Sequence, residues 1–143
     1  MGLNSIAPRP RVYFDACIEI HYVERNPARY QNLRARMFPT EGARPQIAFS
    51  ELVRLECRVG PLRRQDPALL ARFDDFFALA NAVKVEIDRR VFELATDLRA
   101  THRLKTPDAL HLAAAITGSC DDFWTTDDRL QRAAENHLDI TIF

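Results

Sequence analysis

The chain never turns one apolar run straight back onto the next. Its short apolar segments are RVYF at 11–14, QIAF at 46–49, VKVEI at 83–87, the FW pair at 123–124 and DITIF at 139–143, and helical stretches separate them. Strands joined by a tight turn pair antiparallel, whereas strands joined through helices pair in parallel. The alternation therefore predicts an α/β fold, with a central parallel sheet of about five strands covered by helices on both faces. VKVEI alternates apolar and polar residues, which suits an edge strand.

The helices between these runs carry their own punctuation. Ile18 to Glu24 reads as a short helix, and Asn26 with Pro27 as the start of a second. Ser50 caps a third, which Gly60 and Pro61 are expected to end. Asp66 with Pro67 opens a fourth and Asp88 caps a fifth. In LKTPDALHLAAAITGSCDDFWTTDDRL, from Leu104 to Leu130, Thr106 is the expected cap, Pro107 fits the first turn and Gly118 is the expected stop. Asp127 opens the helix that precedes the last strand.

Composition bounds the class. The chain has 143 residues, 47% apolar and 28% charged, as a folded domain requires. Residues 1–10, with Pro8 and Pro10, read as a disordered leader, and 11–143 as a single domain. No apolar run reaches membrane-span length and no signal peptide stands at the start, so a cytoplasmic protein is expected. Cys17, Cys57 and Cys120 are odd in number, far apart and without a zinc-ligand spacing, so they read as reduced thiols. The net charge is +0, which argues against broad non-specific binding to nucleic acid. Residues 105–143 nevertheless hold three Lys/Arg against seven Asp/Glu, which suits a cation site.

Four acids stand where such a fold presents its ligands, outside the carboxyl ends of the strands. Asp15 follows RVYF, and Asp127 follows FWTT. Asp108 lies in the first turn of its helix, and Glu56 lies on the apolar face that Leu52, Val53, Leu55, Cys57 and Val59 define. Glu51, Arg54 and Arg58 point the other way. A carboxylate on an apolar face is costly unless something compensates it. Carboxylates converging on one crevice repel one another unless cations lie between them, and oxygen-only ligands favour Mg²⁺ or Mn²⁺. Such a site meets the needs of phosphodiester hydrolysis. Each acid also has a plainer reading. Asp108 and Asp127 serve as helix-terminus residues, Asp15 satisfies a loop N–H, and Glu56 pairs with a nearby arginine. His111, inside ALHLAAA, reads as a packed or hydrogen-bonded histidine, and Ser50 and Thr125 as a cap and a strand end beside the site.

Taken together, YFDACIEI at 13–20, SELVRLE at 50–56, TPDALHLAAA at 106–115 and FWTTDDRL at 123–130 resemble a PIN domain of the VapC-like toxin type. The resemblance spans Val12 to Phe143. It implies a three-layer α/β/α sandwich and a metal-dependent ribonuclease that leaves 5′-phosphate and 3′-hydroxyl ends. Asp15, Glu56, Asp108 and Asp127 would be the catalytic acids and hold Mg²⁺ or Mn²⁺, with Thr125 and Ser50 supporting them. Cys17 stands where many members carry Ser, Thr or Asn. The partners implied are an RNA substrate, a protein antitoxin and a second copy in a homodimer. An antitoxin segment would lie in a groove near residues 18–38, walled by Tyr22, Tyr30 and Met37, and set an Arg or Lys against the acids. A housekeeping RNA-processing nuclease and a non-catalytic scaffold are the alternatives.

Overall fold

A computed structural model describes residues 9–143; the expected leader falls largely on residues 1–8, outside the described residues. The apolar runs form β1 (Arg11–Phe14), β2 (Gln46–Phe49), β3 (Ala82–Lys84), β4 (Asp122–Thr125) and β5 (Asp139–Ile142). All pair in parallel, in the order β3-β2-β1-β4-β5. The helices are α1 (Ala16–Val23), α2 (Tyr30–Met37), α3 (Glu51–Arg63), α4 (Pro67–Phe77), α5 (Arg89–His102), α6 (Thr106–Thr117) and α7 (Gln131–Ala134), the last entered through a 3₁₀ turn at Asp128–Leu130. Helix α1 packs on α2, α3 and α4, whereas α5 packs on α6 and α7. The sheet is thus sandwiched between two helical layers.

The chain builds outward from β1 to β3 and then returns to place β4 on the other side of β1. That reversal opens the crevice where sheets of this type bind ligands. Aromatic pairs seal the sheet beneath it. Tyr13 stacks on Phe123 at 5.2 Å, and Phe14 on Trp124 at 4.9 Å. Successive side chains leave opposite faces, so the first pair meets His111 of α6 and the second meets Phe76 of α4. All four aromatic side chains are buried.

Several local expectations need correction. Asn26 does not cap a helix. Its Oδ1 accepts from Ala28 N, a local turn, and α2 begins only at Tyr30. Gly60 and Pro61 do not end α3, which runs through both to Arg63. Pro61 removes one helical N–H, but its ring joins Val53 and Cys57 on the buried face. Leu55 is not on that face and is exposed. Thr106 is the first residue of α6 rather than its cap; Lys105 precedes it, without a side-chain cap bond. Gly118 does end α6, but not in a left-handed conformation. Ser119 takes the positive φ, 58°, and a Cβ on Gly118 would lie 2.6 Å from Val85 Cγ1. The caps at Ser50, Asp66, Asp88 and Asp127 stand as read.

Candidate metal centre at the carboxyl ends of the strands

Asp15 leaves β1 as the N-cap of α1, its Oδ1 accepting from Ala16 N at 2.9 Å. Its Oδ2 accepts from the Thr125 hydroxyl at 2.8 Å, and Thr125 Oγ1 accepts from Asp127 N at 3.1 Å. Thr125 is fully buried at the end of β4, so one hydroxyl ties both strand-end acids together. Cys17, half-buried as the second residue of α1, accepts from the Thr126 hydroxyl at 3.5 Å and lies 3.9 Å from Thr125 Oγ1. Burial and the neighbouring Asp15 carboxylate push its thiol up, which favours the protonated form.

Glu56 projects from α3 toward α6, where His111 Nε2 lies 2.9 Å from its Oε1. Arg54 and Arg58 turn instead to Asp74. The arginine pairing that was one plain reading of Glu56 is therefore replaced by a histidine. His111 is 2% exposed, and its Nε2 also lies 3.9 Å from Asp15 Oδ1. Ligand atoms of Asp15, Glu56 and His111 all fall within 4.8 Å of one another.

The other two acids stand beside that trio. Asp108 lies in the first turn of α6 and caps no helix among the described residues. Burial and then the charges of Asp15 and Asp127 push its carboxyl up, partly offset by Arg129 and His111. Asp127 caps the 3₁₀ turn through Arg129 N, and the Arg129 guanidinium forks across its carboxylate at 2.9 and 2.6 Å. That fork holds the Asp127 carboxyl below the usual range. Asp121 and Asp122 lie at the opposite end of β4, where they bond Arg11 N, Trp124 Nε1 and Thr141 Oγ1. Part of the acidic excess is thus structural.

Sequence reasoning passed over Glu19. It lies one turn beyond Asp15 on α1, fully buried, with neither carboxylate oxygen bonded among the described residues. Burial, and then Asp15 and Glu56, push its carboxyl well up. The signal was available: an acid between Ile18 and Ile20, four residues after Asp15 on one helical face.

A family model described as PIN domain matches residues 12–136. This chain belongs to the PIN-domain family. No match is found among curated proteins. Solved structures share the PIN fold at low identity. A toxin–antitoxin complex from Klebsiella pneumoniae is 23% identical with a TM-score of 0.64, covering 91% of this chain and 95% of that one. VapBC2 from Rickettsia felis, bound to a promoter DNA fragment, is 15% identical with a TM-score of 0.71, covering 92% and 97%. VapC20 of Mycobacterium tuberculosis, a toxin that cleaves the sarcin-ricin loop, is 14% identical with a TM-score of 0.68, covering 85% and 94%.

Proposed function

We propose that this PIN domain is a divalent-metal-dependent endoribonuclease and the toxin of a toxin–antitoxin pair. The reading is supported by Asp15 after β1 and Glu56 on α3, whose oxygens lie within 4.8 Å of each other beside His111, and by Asp108 on α6, whose carboxyl feels the charges of Asp15 and of Asp127 after β4. Burial first, and then the charges of Asp15 and Asp127, raise the Asp108 carboxyl, and a cation would relieve the charge repulsion. The available donors are carboxylate oxygens, and His111 already has a hydrogen-bond partner at each ring nitrogen. Such a set suits Mg²⁺ or Mn²⁺.

When bound, the metal would supply the positive charge that activates water and stabilises a phosphodiester's leaving oxygen. The chain's own groups prepare the site. Thr125 holds Asp15 Oδ2 through its hydroxyl proton, and His111 holds Glu56. Arg129 lies at the mouth with Lys105 near enough to act on Asp127, and these two cations meet the RNA phosphates. Cys17 keeps its proton and anchors the start of α1 to the end of β4.

The partner reading draws on the solved toxin–antitoxin complexes. Tyr22 and Tyr30 stack at 5.4 Å and line a surface cavity with Arg72, Phe76 and Leu79, which gives an antitoxin segment an apolar dock. Met37 is buried and forms no wall of it. A homodimer is supported by Leu55 and Leu62, two turns apart on α3 and 59% and 57% exposed.

The test combines three measurements. Purified protein should cleave RNA with Mn²⁺ or Mg²⁺ and stop in EDTA. Either metal should raise the melting temperature by mass action, and Asp15→Asn should lose most of that shift. Induction of the gene alone should arrest growth, and co-expression with a neighbouring antitoxin gene should restore it. Full cleavage in EDTA would rule the mechanism out; growth without arrest would favour a processing nuclease.

A further inference from the structure

Three buried polar side chains behind the acids, Ser50, Tyr13 and His111, form one hydrogen-bonded chain that ends on Glu56 and has a definite direction. Ser50 is fully buried as the N-cap of α3, and its Oγ accepts from Val53 N at 3.4 Å. The hydroxyl proton of Ser50 then needs an acceptor, and among the described residues Tyr13 Oη, at 2.8 Å, is its partner. Burial keeps the Tyr13 phenol protonated, and that O–H has His111 Nδ1 at 2.8 Å. A nitrogen that accepts leaves the ring proton on Nε2, which faces Glu56 Oε1 at 2.9 Å.

Run this way, every buried proton has a partner. Run in reverse, Nδ1–H donates to Tyr13 and Tyr13 to Ser50. The Ser50 proton is then left without an acceptor, and a bare Nε2 faces a carboxylate oxygen at 2.9 Å. A doubly protonated ring strands the same Ser50 proton.

We propose that His111 is a positioning residue for Glu56: Ser50 and Tyr13 fix its ring as the Nε2–H tautomer, which occupies Glu56 Oε1 and leaves Oε2 for the divalent cation. This rests on reading the crevice as a metal centre. It removes His111 from the ligand set, although its ring nitrogen lies within 4.8 Å of both neighbouring carboxylates. The centre is then made of oxygen donors alone. The chain also sets three acids in register, because Tyr13 is two residues before Asp15, His111 is three after Asp108, and Ser50 caps the helix that carries Glu56.

The experiment uses the full chain with ¹⁵N-labelled histidine, and the signal of His111 is assigned by its loss in His111→Gln. The expected spectrum shows the neutral Nε2–H tautomer, unchanged when Mg²⁺ is added. An Nδ1–H tautomer, or a switch to it on adding Mg²⁺, overturns the proposal and makes His111 a ligand. Mn²⁺ titration calorimetry is the second readout. Tyr13→Phe keeps the ring packing and removes the donor, and should weaken Mn²⁺ binding about tenfold, as losses behind a metal ligand do. His111→Ala should weaken it further, and His111→Gln, which restores an N–H, should recover part of the loss. Wild-type affinity in folded Tyr13→Phe and His111→Ala overturns the positioning role while leaving the metal centre standing. A wild-type protein that binds neither cation overturns both.

Discussion

Asp108 carries a charge that its surroundings oppose. The first turn of α6 favours an anion, yet burial and the nearby Asp15 and Asp127 push its carboxyl up. A carboxyl whose pKa is raised on folding binds protons more readily in the folded state. Its favourable contribution is therefore full below the unfolded pKa and lost as pH rises through the folded one. Asp108→Asn should then raise the metal-free melting temperature at neutral pH, with the gap closing as pH falls through the carboxylate range, and should abolish cleavage. Thermal melts of both proteins across pH check this; a variant that melts lower at neutral pH would point to a structural acid. Arg129 stands in the opposite relation, because its fork on Asp127 uses lone pairs that a cation would need. Arg129→Gln should bind Mn²⁺ severalfold more tightly while raising the KM for RNA, and calorimetry beside cleavage kinetics separates the two effects. Glu56 was legible in the sequence because helical periodicity put a charge on an apolar face. The partner of Glu56 was not legible, since His111 arrives from a helix fifty-five positions away in sequence. Glu19 obeyed the same rule as Glu56, and its place one turn after Asp15 becomes plain once α1 starts at Ala16, directly behind Asp15, and not at Ile18.

At the scale of elements, punctuation was legible where a side chain bonds its own backbone. Asp66 and Asp88 cap their helices through Leu69 N and Val91 N, as their types and positions predict. It failed where packing overrides local preference. Pro61 stays helical because its ring joins the buried face, and that face is narrower than periodicity implied, which leaves Leu55 in solvent. Gly118 shows the same lesson from the other side. The sequence marked it as a stop, but the structural need is room, because α6 comes down on Val85 just beyond β3. Gly118→Ala places a methyl 2.6 Å from Val85 Cγ1 and 2.9 Å from Ala114 O. Overpacking of this kind costs about 1–3 kcal/mol. Chemical denaturation should show a loss of that size, and pairing it with Val85→Ala should recover part.

The alternation of strands and helices predicted the parallel sheet, but not the order of its strands. Nothing local in a sequence says that β4 returns to pair with β1, with Val12 against Asp122 and Phe14 against Trp124. That pairing completes the crevice, so a chain stopped before Asp122 should not bind Mn²⁺, as calorimetry would check. The consequence reaches back to synthesis. Asp15 emerges early from the ribosome, but Thr125 and Asp127 come more than a hundred residues later. At roughly 5–20 residues per second, several seconds separate the two ends of the site. During that time the nascent chain carries Asp15 and Glu56 without Thr125 and Asp127, so the crevice is assembled only in the finished molecule.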